Sequence, residues 1–138
     1  MNIVLVDPEI PQNTGNAGRL AVATRSNLYL IGKLGFSIEE KEVRRAGLDY
    51  WKDLTLFYCD HLSEILNRVP NDQLYFFSKR ASKCYLKAEF KPQSFLIFGN
   101  ESIGLPRSLM KEYPDRFFKI PLLGPVRSLN LANSVAIV

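Results

Sequence analysis

The sequence predicts an α/β domain in which a mainly parallel sheet carries helices on both faces. Three observations predict it. Short β-branched or aromatic runs alternate with helical patterns along the chain, the order that βαβ units impose. The strand runs hold four or five apolar residues with little alternation, as strands covered on both faces do. The 138 residues, 46% apolar and 23% charged, are enough for a single domain, 1–138, and argue against disorder.

Element by element, Ile3–Val6 opens the chain as an aliphatic strand, and Thr14–Thr24 follows as a helix that Asn13 or Thr14 can cap. Leu28–Ile31 reads as the second strand and Glu39–Arg45 as a charged helix. Thr55–Tyr58 is the third strand, followed by a helix over His61–Val69 and a strand over Leu74–Ser78. Phe95–Phe98 is a strand of four large apolar residues. Pro106, suited to a first helical position, opens a helix to Tyr113. Phe117–Ile120 is the last strand, and Leu129–Val138 the last helix, with Ser128 as its cap.

Composition excludes several chemistries. Cys59 and Cys84 form no CxxC pair and His61 is the only histidine, so a Cys/His zinc site cannot be assembled and no metal is expected. A Ser-His-Asp or Cys-His arrangement would rest entirely on His61, in the plain segment Asp60-His61-Leu62-Ser63. Asp7 and Glu9 interrupt any signal peptide, while Pro121, Gly124, Pro125 and Arg127 break the apolar tail as a membrane span. The expected compartment is the cytoplasm, with both thiols reduced. A net charge of +4 leans toward a polyanionic partner.

In parallel sheets, ligands bind where loops leave the carboxyl ends of strands. Three polar, glycine-containing segments sit there: Asp7 to Arg19, Gly99 to Pro106, and Pro121 to Asn133. In the first, Asn16 to Arg19 would occupy the opening turns of a helix, where free N–H groups favour anions. Arg19 there can fork onto a phosphate or a sugar hydroxyl, or be incidental. In the second, Gly99 and Gly104 have phosphate-loop spacing, but Leu105-Pro106 replaces the Lys-Ser/Thr such a loop needs. The glycines suit close backbone approach to a flat ligand with Glu101 in the same cleft, or a turn of positive φ. In the third, Asn130 and Asn133 share a helical face and need polar partners, whether structural or bound. A fourth feature is basic: Arg44 and Arg45 beside Tyr50 and Trp51, then Lys79, Arg80, Lys83, Lys87 and Lys91 interleaved with Tyr85 and Phe90. Cations with aromatics suit exposed RNA bases, and charge runs are also ordinary solvated faces.

Together these loops resemble the three motifs of the SPOUT family of RNA methyltransferases. Asn13-Thr14-Gly15-Asn16 with Arg19 resembles the first, Phe98 to Pro106 the second, and Ile120-Pro121 through Ser128-Leu129-Asn130-Leu131 the third. The segment Arg44 to Tyr50 with Glu9-Ile10-Pro11 is closer still to the small tRNA (cytidine/uridine-2'-O)-methyltransferases that act on the wobble nucleotide, position 34 of the anticodon. The resemblance implies a C-terminal trefoil knot that holds S-adenosylmethionine, although knots are nearly absent among proteins. It implies cofactor contacts at Phe77, Gly99, Ile120 and Ser128. It places Asn13, Arg19, Glu101, Ser128 and Asn130 around the reacting ribose, with Arg19 as the family's proposed base. The basic stretches are then where tRNA is expected, on Arg44, Arg45, Lys79, Arg80 and Lys83, and the resemblance also implies a homodimer paired through the first-motif and final helices, the latter stopping at Val138 short of its relatives. An enzyme for another RNA nucleotide and a non-catalytic RNA-binding module are the competing expectations.

Overall fold

The structure, a computed structural model, describes residues 1–36 and 50–138. Its strands are β1 (Asn2–Val6), β2 (Asn27–Ile31), β3 (Leu56–Cys59), β4 (Leu74–Phe77), β5 (Lys83–Cys84), β6 (Phe95–Phe98) and β7 (Phe117–Lys119). Its α-helices are α1 (Pro11–Ala23), α2 (Ser63–Leu66), α3 (Arg107–Glu112) and α4 (Leu131–Ile137). The strands form one parallel sheet in the order β3-β2-β1-β6-β4-β7-β5.

Side-chain alternation along the strands assigns the helices to faces. Ile3, Leu5, Leu28, Leu30, Tyr75, Phe77, Leu96 and Phe98 point to one face, where Ala17 and Ala21 of α1 and Leu131 and Val135 of α4 cover them. Val4, Val6, Ile31, Leu74, Phe76 and Ile97 point to the other, against Ile65 of α2 and Leu109 of α3. Every residue of β1 and β4 is buried, which is why both read as unbroken apolar runs.

Several boundaries differ from expectation. Helix α1 starts at Pro11 rather than Thr14, because proline at the first helical position gives up only an N–H that would be unpaired there. Neither Asn13 nor Thr14 caps it, and Asn16 to Arg19 fall in its second turn, past the free N–H groups. Asn130, not Ser128, caps α4: its side chain accepts from the Asn133 N–H, so the two asparagines form a cap rather than a shared face. Pro106 likewise precedes α3 instead of opening it. Helix α2 is a single turn within the expected His61–Val69 stretch. Strand β5 was too short to show a pattern. The helix expected over Glu39–Arg45, with Arg44 and Arg45, lies outside the described residues.

The register decides where a site can form. Leu5 is level with Phe98, Phe98 with Phe77, and Phe77 with Phe118, so the loops after β1, β6, β4 and β7 leave one edge together. Between β1 and β6 the chain changes direction across the sheet, and that switch point is where α/β sheets open a crevice.

Candidate active site

The loops after β1 and β6 are clasped across the crevice by two glutamates. The Glu101 carboxylate accepts the backbone N–H groups of Glu9 (2.9 Å) and Ile10 (3.3 Å), at the entrance to α1. In return, the Glu9 carboxylate accepts from Ser102 Oγ (2.5 Å) and Asn100 Nδ2 (3.4 Å). An anion at the start of a thirteen-residue helix also sits at the favourable end of its dipole.

From Glu101 a polar chain runs to the third loop. Asn13 Nδ2 donates to Glu101 Oε1 at 2.8 Å, and Asn13 Oδ1 accepts from Asn130 Nδ2 at 2.8 Å. Asn130 Oδ1 then accepts the Asn133 N–H that starts α4. A carboxylate only accepts, so Glu101 fixes which end of the Asn13 amide faces it, and Asn13 in turn fixes Asn130. Asn13 is buried at 4% exposure, where an unpaired amide would be costly. Residues 88 and 117 apart in sequence are thus held in one network.

This network borders a cavity of about 540 Å³, within the range of small-molecule sites. Phe77, Phe98, Ile120, Leu122 and Leu129 supply apolar wall, while Asn13, Glu101, Ser128, Asn130 and Ser134 supply polar groups. Phe77 is stacked on Phe98 with centroids 4.7 Å apart, which stiffens that wall. Gly99, Lys79 and Arg80 also line it. At Gly99 a Cβ would lie 2.2 Å from the Gly104 backbone carbon, so this glycine is required by the loop's own closure rather than by a ligand. Gly104, at φ 72°, makes the positive-φ turn.

The structure gathers Asn13, Glu101, Asn130, Phe77, Gly99, Ile120 and Ser128 about one cavity, with Lys79 and Arg80 at its margin. Arg19 is apart. It is six residues beyond Asn13, about 120° away around the helix, and its guanidinium lies 5.0 Å from the Tyr50 ring centroid. Lys83 is also apart, paired with Asp115 at 2.7 Å, and Lys91 is paired with Asp72 at 2.9 Å. The aromatics of that basic run face inward: Phe90 packs on Tyr75 at 4.9 Å, and Tyr85 packs against the core. Both are partly buried against the core, so the aromatics of the run pack inward more than they stand out among its cations. Glu9 entered the sequence reading only through the Glu9-Ile10-Pro11 segment and not as a site residue, although an acidic residue just before a helix-opening proline could have signalled that role. Among the described residues, no group of three His, Cys, Asp or Glu side chains could hold a metal ion. No helix among them is long and apolar enough to cross a membrane.

Known proteins share this fold. The model of the SpoU rRNA Methylase family matches residues 1–138. A Geobacillus stearothermophilus relative, provisionally named a tRNA (cytidine(34)-2'-O)-methyltransferase, is 43% identical over 99% of this chain and 89% of its own. A solved structure described as giving insight into the 2-OH methylation of C/U34 on tRNA superposes with a TM-score of 0.92 at 41% identity, covering 99% of this chain and 89% of that one. The methyltransferase AviRb from Streptomyces viridochromogenes, solved with AdoMet, shares the fold at a TM-score of 0.85 and 21% identity, over 99% of this chain and 54% of that one. With three motif loops drawn onto one cavity and a family match along the whole chain, this protein belongs to the SpoU rRNA methylase family, within the SPOUT methyltransferases that its loops resemble.

Proposed function

We propose that this chain is a tRNA methyltransferase that transfers a methyl group from S-adenosylmethionine to the ribose 2'-hydroxyl of the wobble cytidine or uridine, position 34 of the anticodon. The observation that carries the reading is the Glu101–Asn13–Asn130 chain, which brings three distant loops onto one cavity at the carboxyl ends of parallel strands. The relatives' names and the full-length family match support the substrate.

The cavity suits the cofactor: apolar wall for a purine beside polar groups for an amino-acid end, with no phosphate-loop lysine. Phe77, Ile120 and Ser128 would hold it, and Gly99 shapes the loop that closes over it. When bound, S-adenosylmethionine supplies a methyl group already activated on a sulfonium, so alignment of the 2'-hydroxyl remains to the protein, and the hydroxyl's proton passes to solvent water. Glu101, with both carboxylate oxygens occupied by N–H donors, is a positioning residue rather than a proton acceptor. Asn13 and Asn130 transmit its position to the third loop. Arg19 steers the phosphate and hydroxyl of the reacting nucleotide.

Arg19 faces away from its own cavity, which supports a homodimer in which a twofold axis delivers it to the partner's site. Leu131 and Val135 are covered within the subunit, so pairing would use the outward faces of α1 and α4, where Ile137 is 43% exposed. The strand order β6-β4-β7, with the chain returning to seat α4 on α1, supports the C-terminal trefoil knot. Such an enzyme works on tRNA in the cytoplasm.

The test is incubation with labelled S-adenosylmethionine and bulk tRNA, then nucleoside mapping. The expected product is 2'-O-methylated cytidine or uridine at position 34. Label at another nucleotide would replace the substrate assignment, and tRNA binding without transfer would leave a binding module.

A further inference from the structure

A second cavity, of about 450 Å³, adjoins the first through Ser78, Arg80 and Leu105, which line both. Its floor is apolar: Leu105, Pro106, Met110 and Phe117. Its rim is cationic: Arg80, Arg107 and Lys111, with no acidic residue lining it among the described residues. Arg107 and Lys111 are four apart on α3, so they stand one turn apart on the same face. All three cations are exposed. Among the described residues none of them forms an ion pair, in contrast to Lys83 and Lys91, which Asp115 and Asp72 neutralise. Cations left unpaired around an apolar floor suit a ligand with both a flat unsaturated ring and an anionic group. That is the chemistry of a nucleotide: the base on Met110 and Pro106, the phosphates on the arginines and lysine.

We infer that this cavity is an RNA subsite for the nucleotides flanking the one that is methylated. The inference rests on the tRNA methyltransferase reading above and extends it: the shared wall at Ser78, Arg80 and Leu105 sets the groove against the cavity in which the methyl is transferred. It therefore grips the anticodon loop itself, not the distant body of the tRNA. Loss of its cations should weaken the binding of a short anticodon stem-loop as much as that of whole tRNA. The chemistry, in the neighbouring cavity, should continue at saturation.

The experiment compares the wild-type protein with Arg107→Gln/Lys111→Gln and with the charge-preserving Arg107→Lys/Lys111→Arg. Methyl transfer is measured on whole tRNA and on an isolated anticodon stem-loop, and S-adenosylhomocysteine binding is measured by calorimetry. The expected result for the Gln pair is a KM raised about tenfold on both RNAs, kcat within twofold and unchanged product-cofactor affinity. The slope of log affinity against log salt should fall by about 1.4, two phosphate contacts at about 0.7 each on a single strand. The charge-preserving pair should restore most of the KM. A stem-loop KM within twofold of wild type would overturn the subsite, whether or not whole tRNA is affected. Wild-type protein that methylates neither RNA would instead remove the functional reading on which the subsite depends.

Discussion

At the scale of single residues, the site is organised by a rule of hydrogen-bond polarity. Glu101 can only accept, so Asn13 must present its NH2 to it and its oxygen to Asn130. Asn13→Asp would place a second carboxylate oxygen where the amide nitrogen stands 2.8 Å from Glu101, and would also bring like charges together. Its expected effect is a loss of at least a hundredfold in methyl transfer and about 1–3 kcal/mol of stability, read by turnover and by urea unfolding. Asn13→Ser, which keeps a donor and an acceptor, should lose less. Arg19→Ala should abolish transfer while leaving S-adenosylhomocysteine affinity within twofold, since Arg19 does not line the cavity. Thr14 presents the reverse case. Its hydroxyl is fully buried with no hydrogen-bond partner among the described residues. Thr14→Val should leave the fold as stable or raise it by about 1 kcal/mol, measurable by thermal melting, because a buried unpaired hydroxyl carries a desolvation cost that a methyl group does not.

At the scale of elements, β4 is the strand on which the C-terminal half depends. It lies between β6 and β7, and Phe76, fully buried, stacks on Phe117 with centroids 4.8 Å apart. Phe76→Ala should cost about 3–5 kcal/mol and lower the melting temperature by about 10 °C or more. The outer elements are tied on differently, by exposed ion pairs. The hydrogen bond from Lys83 holds the Asp115 carboxyl below its ordinary value, and that from Lys91 does the same for Asp72. A carboxyl whose folded pKa is depressed stabilises the fold above its unfolded pKa, about 3.9. That contribution fades as pH falls through the folded value. Asp115→Asn/Asp72→Asn should therefore melt slightly below wild type at pH 7, and the gap should close below about pH 4. A gap that persists at pH 2 would assign it to packing rather than to charge.

At the scale of the molecule, the position of Arg19 away from its own cavity makes the oligomeric state the test of its role. The predicted homodimer should give twice 15.7 kDa in light scattering coupled to size exclusion. Its dissociation on dilution should reduce specific activity in parallel, because each site then lacks the other subunit's Arg19. Mixing an Arg19→Ala protein with a cavity-defective Asn130→Ala protein offers a sharper check. If Arg19 acts across the axis, mixed dimers regain one working site. If it acts within its own chain, the mixture stays as inactive as its parts.

Much of this molecule was legible before any coordinates. Strands buried over most or all of their length, such as Ile3–Val6 and Phe95–Phe98, announce themselves because both faces must be apolar, and the motif loops follow such strands directly. The loops' identity as a set was carried by motif order, since no single one is specific. What the sequence by itself determined was thus the class of fold, every strand but the two-residue β5, and the three loops that border the cavity. The tertiary structure decided how they act. Only register could show that Leu5, Phe98, Phe77 and Phe118 stand level, and only the folded geometry could turn Asn130 from a helix-face residue into a cap joined to Asn13. Gly99 belongs to loop closure, and the basic run divides into free and neutralised cations, because each outcome depends on atoms far away in the chain. Periodicity reports which side of an element is covered; it carries no information about which distant group supplies the cover, and the chemistry of this site lies in those distant pairings.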